Sequence, residues 1–320
     1  MKTIVCKTCE DQHAICVDFI VPLYKSSKHI PDLFERINQL GNELGVQSAL
    51  VAVLDGPDFE TENAIKLHKE LVSFPVKTVV LSRNFGVGPA LLAGLSESDA
   101  CISMCFGSDL QEPKSLFLEF FSLISDDKAD IALGNRRSRE DPLMSRAGAT
   151  FYWAIYRRFI DSNIPKGGFD VFALSKHAKT VLVDLGELNT SITSQIGWIG
   201  FRKSYVPFDR ESRKIGKSSW TLKRKIKLFS DSIYGFTFLP ITIITTIGFL
   251  LTGSFLVISI ATLVAALLGL VKVAGYTTLV LLIGLGNSAI IFCIGLLGGY
   301  VSRTFDNSKQ RPNYIIQRKY

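Results

Sequence analysis

Apolar and polar positions alternate in two periods over the first 135 residues, and a third regime takes over towards the C-terminus. Short runs rich in β-branched residues at 15–24, 49–54, 76–81 and 100–106 predict strands. Between them, apolar residues recur at three- and four-residue spacing near 30–44, 60–71, 88–95 and 115–124, which predicts helices. Regular alternation of strand and helix means an α/β domain with a mostly parallel sheet and crossover helices. Ligands of such sheets sit at the carboxyl ends of the strands. The segments 22–27, 55–57, 82–89 and 107–113 are therefore where chemistry is expected.

The third regime is an apolar block. From 232 to 302, 71 residues carry a single charge, Lys272. Within the block, 238–270 and 276–301 each exceed the ~20 residues needed to cross ~30 Å of hydrocarbon, so two spanning helices that turn near Lys272 are expected. As a helix the first stretch would measure about 45–50 Å, which calls for tilt or for ends lying in the interface. Just before it, Trp220, Leu222, Ile226, Phe229 and Ile233 recur at helical spacing, with Lys223, Arg224, Lys225 and Lys227 largely between them. That pattern predicts an amphipathic helix at the membrane surface.

Composition sharpens this division. The 320 residues are 47% apolar and 20% charged with a net charge of +7, but the charge is unevenly placed. Residues 1–201 hold 20 Lys/Arg against 25 Asp/Glu, 202–231 hold 10 against 3, and 303–320 hold 5 against 1. The basic excess thus flanks the apolar block, and the positive-inside bias places both flanks in the cytoplasm together with the α/β domain. A nucleic-acid protein would carry its basic excess on the folded domain, so no nucleic-acid partner is expected. The periodicity and apolar content exclude a disordered or a secreted disulfide-rich chain. No cleavable leader is expected, because Asp18 and Pro22 break the first apolar run. Cys6 and Cys9 form a C-x-x-C without a second pair at zinc-ribbon spacing, whereas Cys16, Cys101, Cys105 and Cys293 sit in apolar runs that suit buried free thiols.

The strand ends are distinctive. Val21-Pro22-Leu23-Tyr24, Leu54-Asp55-Gly56-Pro57, Ser82-Arg83-Asn84-Phe85-Gly86-Val87-Gly88 and Ser108-Asp109-Leu110-Gln111-Glu112-Pro113 close the four predicted strands in order. Downstream come Gly134-Asn135-Arg136-Arg137, Gly167-Gly168-Phe169-Asp170, a run from Gln195 to Trp198-Ile199-Gly200-Phe201, the segment 210–220 with Gly216-Lys217-Ser218-Ser219, and Arg311-Pro312-Asn313-Tyr314-Ile315-Ile316. In this order the motifs resemble those of family 2 glycosyltransferases with the GT-A fold, in particular the polyprenyl-phosphate glycosyltransferases related to dolichol-phosphate-mannose synthase and the bactoprenol glucosyltransferases.

The resemblance implies a GT-A, Rossmann-like domain over 15–215 after a tail at 1–14, a juxtamembrane amphipathic helix at 216–235, two transmembrane helices within 236–302, and a cytoplasmic tail at 303–320. It implies nucleotide-sugar binding by Pro22, Tyr24, Asp55, Arg83, Asn84, Gly88, Ser108, Asp109 and Gln111, with Asp55 meeting the base. Asp109 and Gln111 stand where the family holds Mg²⁺ or Mn²⁺, which bridges diphosphate oxygens. Asp170 and Arg136 join Asp109 as catalytic candidates, while Arg210, Arg213 and Lys217 are candidates for binding phosphate or acceptor. Gln195, Trp198 and Trp220 are candidates for acceptor-side packing. Three positions depart from the family pattern: Gly107 replaces the first metal-site aspartate, Leu54 replaces the first residue of an Asp-Asp pair, and Lys25-Ser26-Ser27 replaces a polar-acidic pair.

The activity implied is inverting transfer of one hexose, from a UDP-sugar first among nucleotide sugars, to undecaprenyl or another polyprenyl phosphate. The setting implied is the bacterial inner membrane and the synthesis of lipopolysaccharide, O-antigen or another surface glycan. A flippase, a second glycosyltransferase and further copies of this chain are the expected protein partners. Another lipid-linked acceptor stays open as an alternative, as does a non-catalytic scaffold suggested by Gly107, Leu54 and Ser26.

Overall fold

The computed structural model of the chain describes residues 16–136, 169–187, 191–209 and 311–320, with isolated positions between 246 and 309. The first half alternates as the hydrophobic pattern predicts: β1 Val17–Leu23, α1 Ile30–Leu44, β2 Ser48–Leu54, α2 Phe59–Lys69, β3 Val76–Leu81, α3 Val87–Ser96, β4 Ile102–Cys105 and α4 Lys114–Ser125. Then follow β5 Ile131–Arg136, β6 Phe169–Ser175, α5 Lys176–Asp184, α6 Ile192–Trp198, β7 Lys203–Phe208 and β8 Ile316–Lys319. Local chemistry sets several boundaries. Pro31 opens α1, whose end is capped by Gly45 in the left-handed region, and the Asp58 side chain accepts from Thr61 N–H at the start of α2.

One eight-stranded sheet runs in the order β7-β5-β6-β4-β1-β2-β3-β8. The pairs β1/β2, β1/β4, β2/β3 and β5/β7 are parallel, while β4/β6, β5/β6 and β3/β8 are antiparallel, so the sheet is mixed with a narrow parallel majority. Both faces are covered, which is why β2 reads as a continuous apolar run. On one face Phe19, Leu50 and Met104 pack with Ile37 of α1, Ile65 of α2 and Phe117 and Phe120 of α4. On the other, Ile20, Val53 and Phe172 pack with Leu95 of α3, Leu182 of α5 and Ile196 of α6. A single edge of the sheet collects the carboxyl ends of β1 to β5 and β7 together with the first residues of β6 and β8.

Chain contacts divide the protein into two compact units, Met1–Phe229 with Pro312–Tyr320, and Ser230–Arg311. The second is thus an insertion between β7 and β8. Among the described residues no helix is long and apolar enough to cross a membrane. The predicted spans at 238–270 and 276–301 fall outside the described residues except at isolated positions, and the amphipathic segment 216–235 lies outside them entirely.

Two expectations need correction. The end of the predicted tail is strand β8, which pairs with β3 through Val79↔Lys319, Val80↔Arg318 and Leu81↔Ile316. The edge of β3 would otherwise present unpaired N–H and C=O groups, and a short charged strand covers it. The charges of β8 are themselves partnered. Buried Glu62 meets Arg318 and, at 3.1 Å, Lys66, while Glu97 meets Lys77 at 2.7 Å and Lys319 at 3.1 Å. The second correction concerns Cys101, which is disulfide-bonded rather than free. It stands just before the first residue of β4, whereas the free Cys105 is the last residue of that strand.

Burial alone would raise the Glu62 carboxyl, but hydrogen bonds from Arg318, Lys66 and Tyr320 more than offset it and hold the group below the usual range. A lowered carboxyl contributes stability above its unfolded value, about 4.3, and loses it as the pH falls through the folded value. The wild-type chain is therefore expected to melt above a Glu62→Gln variant at pH 7, with the gap closing below about pH 4. Thermal unfolding of both chains across that range checks this.

Candidate functional site

At the end of β1, Pro22 is half-buried and Tyr24 is exposed, and the backbone turns through Lys25 at φ 51. A left-handed lysine is uncommon and marks a constrained turn. The constraint is visible in buried Ser26, whose N–H donates to Thr61 Oγ1 at 3.0 Å and whose Oγ accepts from Tyr24 N–H at 3.2 Å. Ser26 Oγ also lies 3.4 Å from Ser108 Oγ, bridging the ends of the adjacent strands β1 and β4.

Asp55 directly follows β2 and is 5% exposed. Its Oδ1 accepts from Phe85 N–H at 2.7 Å and its Oδ2 from Gly86 N–H at 2.9 Å. The carboxylate expected to face a base is thus also the peg of the loop after β3. The neighbouring Gly56 is required twice over. Its φ is 101, and a Cβ there would stand 2.9 Å from the Asn84 nitrogen. In that loop Asn84 is exposed and the Arg83 guanidinium stacks 4.1 Å from the Phe85 ring centre, which leaves its edge available to an anion. Gly86 caps the start of α3, and a Cβ at Gly88 would meet open space.

After β4, Asp109 is half-buried and Leu110 is left-handed at φ 52, so this loop shares the constrained geometry of the β1 end. Gln111 is 6% exposed, its side chain largely covered. Gly107 explains part of the departure from the family pattern. A Cβ at that position would stand 2.9 Å from Asp109 Oδ1, so the space of the missing side chain is where the remaining carboxylate folds back. Among the described residues no three His, Cys, Asp or Glu side chains converge on a metal site. A single carboxylate nevertheless suits Mg²⁺, which is commonly held by one or two carboxylates with substrate phosphates and water.

The last component needs two strands of opposite direction. Arg136 at the end of β5 and Asp170 at the start of β6 form an ion pair, brought together by the register Asn135↔Phe169. The arginine side chain is 16% exposed and the aspartate 46%, so the carboxylate is held yet open to solvent. The β4/β6 register ends at Cys105↔Phe172, which sets Asp170 beside the segment that follows β4. Asp55, Tyr24 and Asp109, just beyond the ends of β2, β1 and β4, and Asp170 and Arg136, on β6 and β5, thus follow the order of neighbouring strands. Four inter-strand steps span about 19 Å, a line long enough for base, diphosphate and sugar in succession.

Gln195 is buried and Trp198 exposed on α6. Arg210, Arg213, Lys217 and Trp220 lie outside the described residues, as do Gly167 and Gly168. The chain heading to them leaves β7 at the same edge of the sheet. Sequence reasoning missed the double use of Asp55, the Ser26/Ser108 bridge and the Arg136/Asp170 pair. The first had a signal in the Asp-Gly step ahead of a glycine-rich turn; the others depend on which strands are neighbours.

Residues 18–180 match the family model described as Glycosyl transferase family 2. Among curated relatives, the uncharacterized glycosyltransferase YkcC of Bacillus subtilis is 24% identical over 94% of this chain and 93% of its own. The bactoprenol glucosyl transferase of Shigella phage SfV is 25% identical over 95% of this chain and 98% of its own. The undecaprenyl-phosphate 4-deoxy-4-formamido-L-arabinose transferase of Proteus mirabilis is 22% identical over 94% of this chain and 93% of its own.

Proposed function

The chain belongs to glycosyl transferase family 2 and is a glycosyltransferase, and from that premise we propose that it moves one hexose from a UDP-sugar to a polyprenyl phosphate at a membrane surface. The observation that carries this reading is the use of one sheet edge for two purposes. The edge bearing Tyr24, Asp55, Asp109, Arg136 and Asp170 is also where the chain departs after Phe208 and returns before Ile316, with the nearly uncharged block between. Residues to Phe229 and from Pro312 belong to one unit, so a membrane-crossing insertion must cross an even number of times. Two helices meet that requirement, and the names of two relatives, bactoprenol glucosyl transferase and undecaprenyl-phosphate 4-deoxy-4-formamido-L-arabinose transferase, agree with a polyprenyl-linked acceptor.

In this reading the base lies towards Asp55 and Tyr24, and the diphosphate runs past Arg83 and Asn84 towards Asp109. A Mg²⁺ or Mn²⁺ ion held by Asp109, with Gln111 the neighbouring candidate, would stabilise charge on the departing diphosphate. The lipid phosphate oxygen attacks the anomeric carbon from the face opposite the diphosphate. The new C–O bond forms as the old one breaks, the configuration inverts, and UDP leaves. Because the nucleophile is already anionic at neutral pH, no strong general base is needed. Asp170, held by Arg136, orients the sugar or acceptor, and Arg210, Arg213 and Lys217 attract the lipid phosphate before the amphipathic segment.

The test is incubation of membranes containing the protein with labelled UDP-glucose, UDP-galactose, UDP-N-acetylglucosamine and GDP-mannose plus undecaprenyl phosphate, with and without Mg²⁺. A labelled, organic-extractable lipid from a UDP-sugar is expected. Absence of such product from every donor overturns the reading.

A further inference from the structure

The C-terminal strand is bound to the loop that the sequence assigns to nucleotide binding. Beyond its ladder with β3, the Ile315 carbonyl accepts from Ser82 N–H at 2.9 Å, directly ahead of Arg83 and Asn84. Tyr314 and Ile316 pack against the same apolar cluster as Phe85, and Tyr314 Oη donates to Ser96 Oγ at 2.8 Å at the far end of α3. Tyr320 exchanges both backbone hydrogen bonds with Thr78, at 2.8 and 3.1 Å, and the paired charges of Glu62 and Glu97 hold the strand from both sides. The loop 82–86 is thus pinned at its first residue by Ile315, just ahead of β8, and at its last two by Asp55.

We propose that residues 314–319 are a positioning element for the nucleotide-binding loop, supplied by the chain after it returns from the 230–311 insertion, and that donor affinity depends on their docking. The effect on donor affinity rests on the donor reading given above, whereas the effect on the loop rests on contacts alone. A loop with both ends tied is ordered before ligand arrives. Freeing one end moves that ordering cost into the binding step. The interaction is the intramolecular form of strand addition to an exposed sheet edge, and its loss should act on ground-state binding more than on the chemical step.

The experiment compares the purified full-length chain with one ending at Asn313. Three quantities are measured: amide exchange at 82–86, UDP affinity by calorimetry, and donor KM and kcat. Truncation is expected to speed exchange at Phe85 and Gly86 at least tenfold and to raise the UDP Kd and donor KM about tenfold, with kcat within about twofold. A peptide spanning 312–320, added in trans, should restore both exchange protection and affinity. Arg318→Ala, which removes one cation from Glu62 and leaves the core intact, carries the same expectations at about two- to threefold should the shorter chain not fold. Unchanged exchange and unchanged UDP affinity in a folded variant overturn the proposal, as does a loss confined to kcat. If the intact chain binds no nucleotide, the donor reading fails, and exchange at 82–86 alone decides whether β8 positions the loop.

Discussion

Replacing Asp109 with alanine lowers kcat/KM for sugar transfer by about a thousandfold and removes the response to added Mg²⁺, while the melting temperature stays within about 1 °C. The expectation follows from what Gly107 has taken away. With glycine at the first position of the motif, Asp109 is the one carboxylate of that motif left to meet a divalent ion, and the other carboxylate of the loop, Glu112, is buried at 2% exposure. A thousandfold corresponds to about 4 kcal/mol of transition-state stabilisation, in the range for losing a charge-stabilising group at a leaving oxygen. Stability should barely respond, because the side chain is half-buried in a strand-end loop. Initial rates against Mg²⁺ concentration, with thermal unfolding as the folding control, decide it. Full Mg²⁺-dependent activity in Asp109→Ala would sink the metal assignment. Gly107→Asp should not simply restore the family pair, because a side chain at 107 starts 2.9 Å from Asp109 Oδ1 and displaces it.

The second large effect belongs to Asp55, and its signature differs. Asp55→Ala removes the acceptor of the Phe85 and Gly86 N–H groups, leaving two backbone donors to find new partners beside a buried site. Two such orphans together cost about 2–6 kcal/mol, which at about 2–4 °C per kcal/mol for a domain of this size lowers the melting temperature by about 4–24 °C. The Arg83 and Asn84 loop loses its carboxyl-end peg at the same time, so donor KM should rise more than tenfold. Asp55→Asn keeps one carbonyl acceptor and should fall between wild type and alanine on both measures. A melting temperature unchanged within 1 °C would show that the loop does not rely on this carboxylate. Asp109→Ala is thus expected to spare folding and cost turnover, and Asp55→Ala to cost both folding and donor binding.

Much of the architecture was legible because it is written in short-range periodicity. The helix predicted at 30–44 and the strand predicted at 76–81 appear with those bounds, since each depends on local apolar spacing and on nearby terminators such as Gly45. The strand-end rule then located Asp55, Arg83, Asn84 and Asp109 correctly on one edge without any knowledge of strand order. The C-terminal strand resisted the same reading. Ile316–Lys319 has four residues, two of them cationic, and no alternation long enough to separate it from the basic flank of the apolar block. Its identity as a strand comes from an unpaired edge more than two hundred residues away. The disulfide at Cys101 was missed for a similar reason, because the flanking apolar run does not reveal that the residue sits just outside the strand.

The sequence by itself determined the alternating α/β domain, the separation of an acidic domain from a basic-flanked apolar block, the strand ends that carry the chemistry, and a family resemblance matched by the family model over 18–180. Each of these depends on neighbours within a few turns of chain, where burial periodicity and turn chemistry act. Tertiary structure decided the rest. It set the order β2-β1-β4-β6-β5 that lines up five candidate side chains, the pairing of Arg136 with Asp170, the second duty of Asp55, and the return of residues 316–319 to the sheet. The physical reason is that a β-sheet satisfies its backbone through partners distant in sequence. Which strands become neighbours, and therefore which side chains share a site, is settled by competition among whole-chain packings.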